Sequence, residues 1–251
     1  MYPRTNRYYD AIYSWKDYAG DAARLRLIIA EKARTKKHAA TLLDVACGTG
    51  MHLSYLQSDF QVEGLDFDEG MLDLARERLP GVPLHHGSMN SFDLGKRFDV
   101  VTCLFSAIGA MTTPEQLEQA ICCMARHTNP GGLVIVEPWL PPDVFETGRL
   151  NALFVDQPDL KLSRMSISAR DGNVALFNFN YLIGTPDGIS TATESLRLGL
   201  FTQDQYMAAF TACGLHVEYD KQGLMERGMY IGLRGPDEDQ WARDGSLLSL
   251  H

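Results

Sequence analysis

Through residue 138 the chain alternates short apolar runs with stretches whose apolar residues recur every three or four positions. The runs at 41–46, 61–66, 82–86, 98–104 and 133–137 predict strands, and the stretches at 17–33, 52–57, 69–78 and 114–127 predict amphipathic helices. Strand followed by helix, repeated, is the rhythm of a parallel sheet. Asn129-Pro130-Gly131-Gly132 reads as a turn leading into the fifth strand.

Beyond Pro141-Pro142 the rhythm changes. Runs at 160–168, 174–182 and 191–200 predict strands, joined by the turn signals Asp171-Gly172-Asn173 and Pro186-Asp187-Gly188, so an antiparallel meander is expected. A helical pattern returns at 202–213, closed by Gly214, and two more strands follow at 215–219 and 229–233. The fold class read from this order is α/β: a Rossmann-like, doubly wound, seven-stranded and mostly parallel sheet with an inserted antiparallel β subdomain. Residues 1–138 and 201–235 form the main domain, 139–200 the insertion and 236–251 a polar tail.

Composition narrows the function classes. A chain of 251 residues with 45% hydrophobic and 22% charged residues can build an ordinary globular core. The net charge of −9 repels polyphosphate, so a nucleic-acid partner is not expected. The basic cluster Lys32, Arg34, Lys36 and Lys37 falls at a helix end, where cations complement the helix dipole. Five cysteines without CxxC spacing predict reduced thiols in a cytoplasmic protein. The stretch MYPRTNRYYD has no apolar h-region, and no apolar run reaches about 18 residues, so neither secretion nor a membrane partner is expected.

The strongest chemical signal is 42–52, where a strand runs into Ala46-Cys47-Gly48-Thr49-Gly50 and a helix follows. Small residues there let the backbone approach a ligand closely. The third glycine of a dinucleotide loop, which a pyrophosphate site needs for close helix packing, would fall at Leu53, and this weakens a dehydrogenase reading. Asp66 ends the second strand, where a carboxylate can accept both hydroxyls of a ribose; capping of the next helix is the competing use. No HxxxH or His/Cys spacing occurs, so no metal is expected, and the absence of G-x-S-x-G disfavours a serine hydrolase.

Together, Asp44 to Gly50, Asp66, Met71-Leu72 and Gly87-Ser88-Met89 resemble the motif series of class I S-adenosylmethionine-dependent methyltransferases. The resemblance implies S-adenosylmethionine as cofactor, with S-adenosylhomocysteine as its product. It implies that Asp44 positions the loop and the methionine amino group, that Ala46, Gly48 and Gly50 pack against the cofactor, and that Asp66 holds the ribose. Met71 and Met89 would flank the adenine, and Ser88 stands where the family commonly has an acidic residue. Tyr18, His52 and Leu104 complete the implied cofactor set.

A narrower resemblance, to the aminosugar N,N-dimethyltransferases of the desosamine and mycaminose type, rests on Leu84-His85-His86-Gly87, Leu104-Phe105-Ser106, Ile108-Gly109, Glu137-Pro138-Trp139 and Arg227-Gly228 and runs from about Tyr2 to Gly235. It implies an N-terminal lid and a substrate role for the insertion, with Tyr2, Tyr9 and Glu137 as catalytic residues and Tyr13, Trp139 and Arg227 as acceptor contacts. Packing on the sheet accounts equally for any one of these tyrosines, and a surface ion pair for Arg227. The chain departs from that pattern at Ala110, at Leu140 and in a shorter link between Tyr13 and Lys16. The expected reaction is methyl transfer to nitrogen of a small-molecule acceptor, with an O-methyltransferase of a phenolic or carboxylic product, or a non-catalytic S-adenosylmethionine-binding protein, as alternatives. A homodimer is compatible with all three.

Overall fold

The structure, a computed structural model, describes residues 5–35 and 40–236. Tyr2, Lys36, Lys37 and all of the expected polar tail except Pro236 lie outside the described residues. Two helices, α1 (Tyr9–Ile12) and α2 (Tyr18–Lys32), precede β1 (Thr41–Val45), α3 (Met51–Leu56), β2 (Gln61–Asp66), α4 (Glu69–Arg78), β3 (Leu84–His86), β4 (Phe98–Cys103), α5 (Pro114–Arg126) and β5 (Thr128–Val136). The antiparallel strands β6 (Leu150–Gln157), β7 (Leu160–Asp171), β8 (Val174–Thr185) and β9 (Gly188–Gly199) follow, and α6 (Gln203–Ala212), β10 (Leu215–Asp220) and β11 (Met229–Arg234) close the chain.

The main sheet has the order β3-β2-β1-β4-β5-β11-β10, with β11 antiparallel to β5, and β6 to β9 form a separate four-stranded sheet. The mostly parallel seven-stranded sheet with an antiparallel insertion is therefore as expected. Because side chains alternate across a strand, each central strand feeds two cores: Leu43, Val101 and Val134 pack on one face of the sheet, and Leu42, Val100 and Leu133 on the other. Polar termini hold the helices. Thr113 Oγ1 accepts from the Gln116 amide at the start of α5, and Thr202 and Gln205 form a reciprocal capping box on α6.

Three expectations need correction. The insertion has four strands rather than three, because β6 carries apolar side chains on both faces, Leu150 and Phe154 outward and Val155 inward, and so lacks alternation. β5 starts at Thr128, and the glycines of the expected turn are absorbed as an irregularity in its pairing with β4, where Gly131 adopts φ +75°. The cysteines are not all reduced: Cys122 and Cys213 form a disulfide, with Cα atoms 5.0 Å apart, that ties α5 to the end of α6, while Cys47, Cys103 and Cys123 are free and buried. That pairing joins positions 91 apart, which spacing along the chain does not reveal. Among the described residues no helix is long and apolar enough to cross a membrane.

Candidate active site

At the carboxyl ends of the parallel strands lies a cavity of about 560 Å³. This is where open α/β sheets place their ligands. One half abuts the loop between β1 and α3, and the other is walled by Trp139 and the inner face of the antiparallel sheet.

On the loop, Ala46, Gly48 and Gly50 all take positive φ (60°, 55° and 75°), which coils the backbone around the cavity. A Cβ on Gly48 would meet nothing within 4 Å, and Ala46 and Gly48 both line the wall. Gly50 does not: a Cβ there would lie 2.7 Å from Leu79 Cδ1, so its constraint is the packing of the turn on the end of α4. Asp66 faces the cavity with its carboxylate fixed, Oδ2 accepting from the Gly48 amide and Oδ1 from the Asp68 amide, each at 2.8 Å. Burial raises its pKa while those backbone bonds oppose the shift. Each oxygen keeps a second lone pair, which suits the two hydroxyls of a ribose. The buried side chains of Met71 and Met89 form an apolar slot beside it, and Leu104 extends the wall. An adenosyl group fits this set of donors, acceptors and apolar walls. Ser88 is set apart from it, its hydroxyl donating to Asn90 Oδ1 at 2.7 Å.

Behind the loop is a buried polar layer. Asp44 Oδ1 accepts from Thr102 Oγ1 across the β1–β4 pair at 2.7 Å, and burial pushes its carboxyl up to about 6. His52 Nε2 lies 3.0 Å from Asp21 Oδ2, which also takes the Lys16 ammonium at 2.5 Å, and the Tyr18 ring meets His52 edge-on. Burial alone would raise the Asp21 pKa, but the hydrogen bonds from His52 and Lys16 outweigh it and hold the group low. Tyr18, Asp44 and His52 therefore support the loop from behind and do not line the cavity. β1 turns Asp44 toward β4, and α3 turns His52 toward α2.

The N-terminal segment bridges the loop and the insertion. Thr49 Oγ1 donates to Asp10 Oδ1 at 2.7 Å, Arg78 pairs with the same carboxylate, and Asn6 Nδ2 donates to Asp68 Oδ1 at 2.9 Å. Tyr8 and Ile12 pack with Val155, Leu162, Tyr181 and Ile183 of the antiparallel sheet. Tyr9 and Tyr13 reach the cavity, Tyr13 lying edge-on to Phe105 with ring centroids 5.0 Å apart and accepting from Arg164 Nη1 at 3.2 Å.

On the acceptor side, Arg227 lies over the Trp139 ring, 4.9 Å from its centroid, and Nη1 donates to Ser106 Oγ at 3.0 Å. Arg149 and Arg164 join it on the wall, together with Phe177 and Phe179. Ala110, one of the departures noted in the sequence, lines the cavity as well. Glu137 is fully buried behind the wall, with Oε2 accepting from the Phe105 amide at 2.6 Å. Sequence reasoning missed Phe67, Phe105, Arg149 and Arg164. The first two sit next to motif residues and were within reach of it; the arginines lie in or beside strands, where charge reads as a solvent face. Among the described residues no three His, Cys, Asp or Glu side chains gather as metal ligands.

Residues 42–132 match the methyltransferase domain family. The chain is 44% identical over 231 residues to dTDP-3-amino-3,6-dideoxy-alpha-D-glucopyranose N,N-dimethyltransferase of Streptomyces fradiae, covering 90% of this chain and 89% of that one. Its fold matches the crystal structure of Streptomyces venezuelae DesVI with a TM-score of 0.84 at 38% identity, over 91% of this chain and 97% of the other. It also matches an amino pentose methyltransferase of Micromonospora echinaspora, solved with S-adenosylmethionine bound, with a TM-score of 0.81 at 38% identity over 90% and 96% of the two chains.

Proposed function

The chain belongs to the S-adenosylmethionine-dependent aminosugar N,N-dimethyltransferases, and we propose that its acceptor is the amino group of a nucleotide-linked deoxysugar. It is an enzyme that methylates nitrogen of a small-molecule metabolite. When bound, S-adenosylmethionine supplies an electrophilic methyl group on a sulfonium. Asp66 holds the ribose, Met71 and Met89 enclose the adenine, and the bare backbone of Ala46 and Gly48 seats the remainder.

What remains for the protein is alignment and exclusion of water, since an in-line displacement with a good leaving group needs no covalent help. The lid formed by Tyr9 and Tyr13 and the roof formed by the antiparallel sheet perform both tasks. Tyr9 is assigned to orienting the acceptor amine.

The observation that carries the acceptor reading is the placement of Arg149, Arg164 and Arg227 around one half of the cavity. Three guanidiniums on a wall that also carries Trp139, Phe177 and Phe179 suit the diphosphate of a nucleotide sugar. The dTDP-linked amino-deoxysugars after which the relatives are named support the same class. The test is incubation with S-adenosylmethionine and a dTDP-3-amino-deoxysugar, read by product mass. Gain of two methyl groups is expected, and Arg164→Met should raise the acceptor KM about tenfold while leaving cofactor affinity unchanged. Methylation of phenolic hydroxyls, with none on amino sugars, would overturn the reading.

Two further parts belong to this proposal. A cytoplasmic location follows from charged reactants that do not cross a bilayer unaided. A homodimer follows from the outer face of the antiparallel sheet, where Leu150, Phe154, Met165, Ile167, Leu182 and Ile189 are exposed beside the polar Asn178, Asn180, Thr191 and Thr193. Apolar and polar side chains are interspersed across this face, and an isologous contact between two copies about a twofold axis would cover the apolar ones.

A further inference from the structure

The geometry points to Glu137 as a positioning residue, whose buried carboxylate pins the Phe105 amide and so holds the strained turn Phe105–Ser106 that shapes the wall between the two halves of the cavity. For the activity readouts this rests on the acceptor reading above.

The strain comes first. β4 ends at Cys103, and two residues later the chain takes φ 52° at Phe105 and 61° at Ser106. Neither is glycine, and consecutive non-glycine residues in the left-handed region persist only where the surroundings over-determine them.

The surroundings here are specific. Glu137 grips the end of β4 twice: its own amide donates to the Cys103 carbonyl at 2.9 Å, and its Oε2 accepts from the Phe105 amide at 2.6 Å. Ser106 Oγ donates to the Pro138 carbonyl at 2.7 Å and accepts from Arg227 at 3.0 Å. The turn is thus stitched to the segment after β5 through the Phe105 amide and the Ser106 hydroxyl.

What the turn presents explains why it is held. Leu104, Phe105, Ser106 and Ala107 all face the cavity. The Phe105 ring also receives the Tyr13 ring of the lid and lies 4.6 Å from the Lys16 ammonium. Relaxation of Phe105 to negative φ would therefore move the wall, the lid contact and the Arg227 anchor together.

Glu137 has no exposed surface and lies outside the wall, and its Oε1 has no hydrogen-bond partner. Lys16 and Arg227 supply the nearby positive charge and Asp21 an opposing negative one. Its carboxylate reaches the cavity through the Phe105 amide and does not itself line the wall. An amide oxygen at the same place would accept from Phe105 as the carboxylate does, whereas an aliphatic side chain would not.

The experiment compares Glu137→Leu with Glu137→Gln. In Glu137→Leu, kcat should fall at least about tenfold and acceptor KM should rise as the Arg227 anchor shifts, with cofactor Kd within about threefold of the parent, and amide exchange at Phe105 should accelerate by about tenfold or more. Glu137→Gln should restore kcat to within about threefold, restore the amide protection and leave the pH dependence of kcat unchanged. Loss of turnover in Glu137→Gln equal to that in Glu137→Leu, or loss of the acidic limb of its pH profile, would overturn the proposal in favour of a direct proton-transfer role. If the parent enzyme methylates no amino-sugar nucleotide, the acceptor reading fails. Amide exchange then decides the matter alone, and unchanged protection of Phe105 in Glu137→Leu would sink the proposal.

Discussion

Asp66 shows how a single side chain can set the geometry of a ligand site before any ligand arrives. Both its oxygens are fixed by backbone amides, one from the glycine loop and one from the start of α4, so the carboxylate proposed to hold the ribose is pre-oriented and little ordering is left for binding. Asp66→Ala should weaken S-adenosylmethionine binding by more than about 1 kcal/mol in calorimetry, and unchanged affinity would remove the ribose role. This residue was legible because its chemistry is local: a carboxylate at a strand end, at a set distance from a glycine loop. Gly50, His52, Ser88 and Glu137 lie off the cavity wall, because a motif fixes where a Cα lies and not which way its side chain turns. Arg149 and Arg164 were illegible for the opposite reason. They belong to the half of the site built by an inserted sheet, whose inward face becomes polar only where it roofs the cavity.

The element that couples the two halves is α1 with the residues before and after it. It is too short to hold its own conformation in water, so its placement depends on what it touches. Asp10 takes Thr49 and Arg78 at one end, and Tyr8 and Ile12 bury against the antiparallel sheet at the other. Asp10 is partly exposed, so its ion pair contributes little beyond the hydrogen bond to Thr49. Asp10→Ala should therefore speed cofactor release about three- to tenfold in stopped-flow measurements while barely moving the melting temperature. An unchanged release rate with a lowered melting temperature would make the segment ordinary packing. The elements of the main sheet were legible because parallel strands buried on both faces read as uninterrupted apolar runs. β6 was not, since an exposed Phe154 and a buried Val155 side by side erase the period-two signal.

At the scale of the whole molecule, the antiparallel sheet has two faces with different work. The inner face carries Arg164, Phe177 and Phe179 to the cavity, and the outer face leaves six large apolar side chains in water. Phe154 is 69% exposed and Ile189 79%, values that a solvated sheet face does not normally show for a cluster of such residues. The net charge of −9 opposes association in general, so the proposed pairing of copies draws on this apolar face and not on complementary fields. Light scattering should accordingly find a dimer in the wild type, and Phe154→Lys with Ile167→Lys should give a monomer. The substituted side chains point away from the cavity, so the monomer should keep its cofactor affinity, and any fall in turnover would have to pass through the roof that the inner face forms. A wild-type chain that stays monomeric at micromolar concentration would remove the second copy from the account and leave the outer face to another partner.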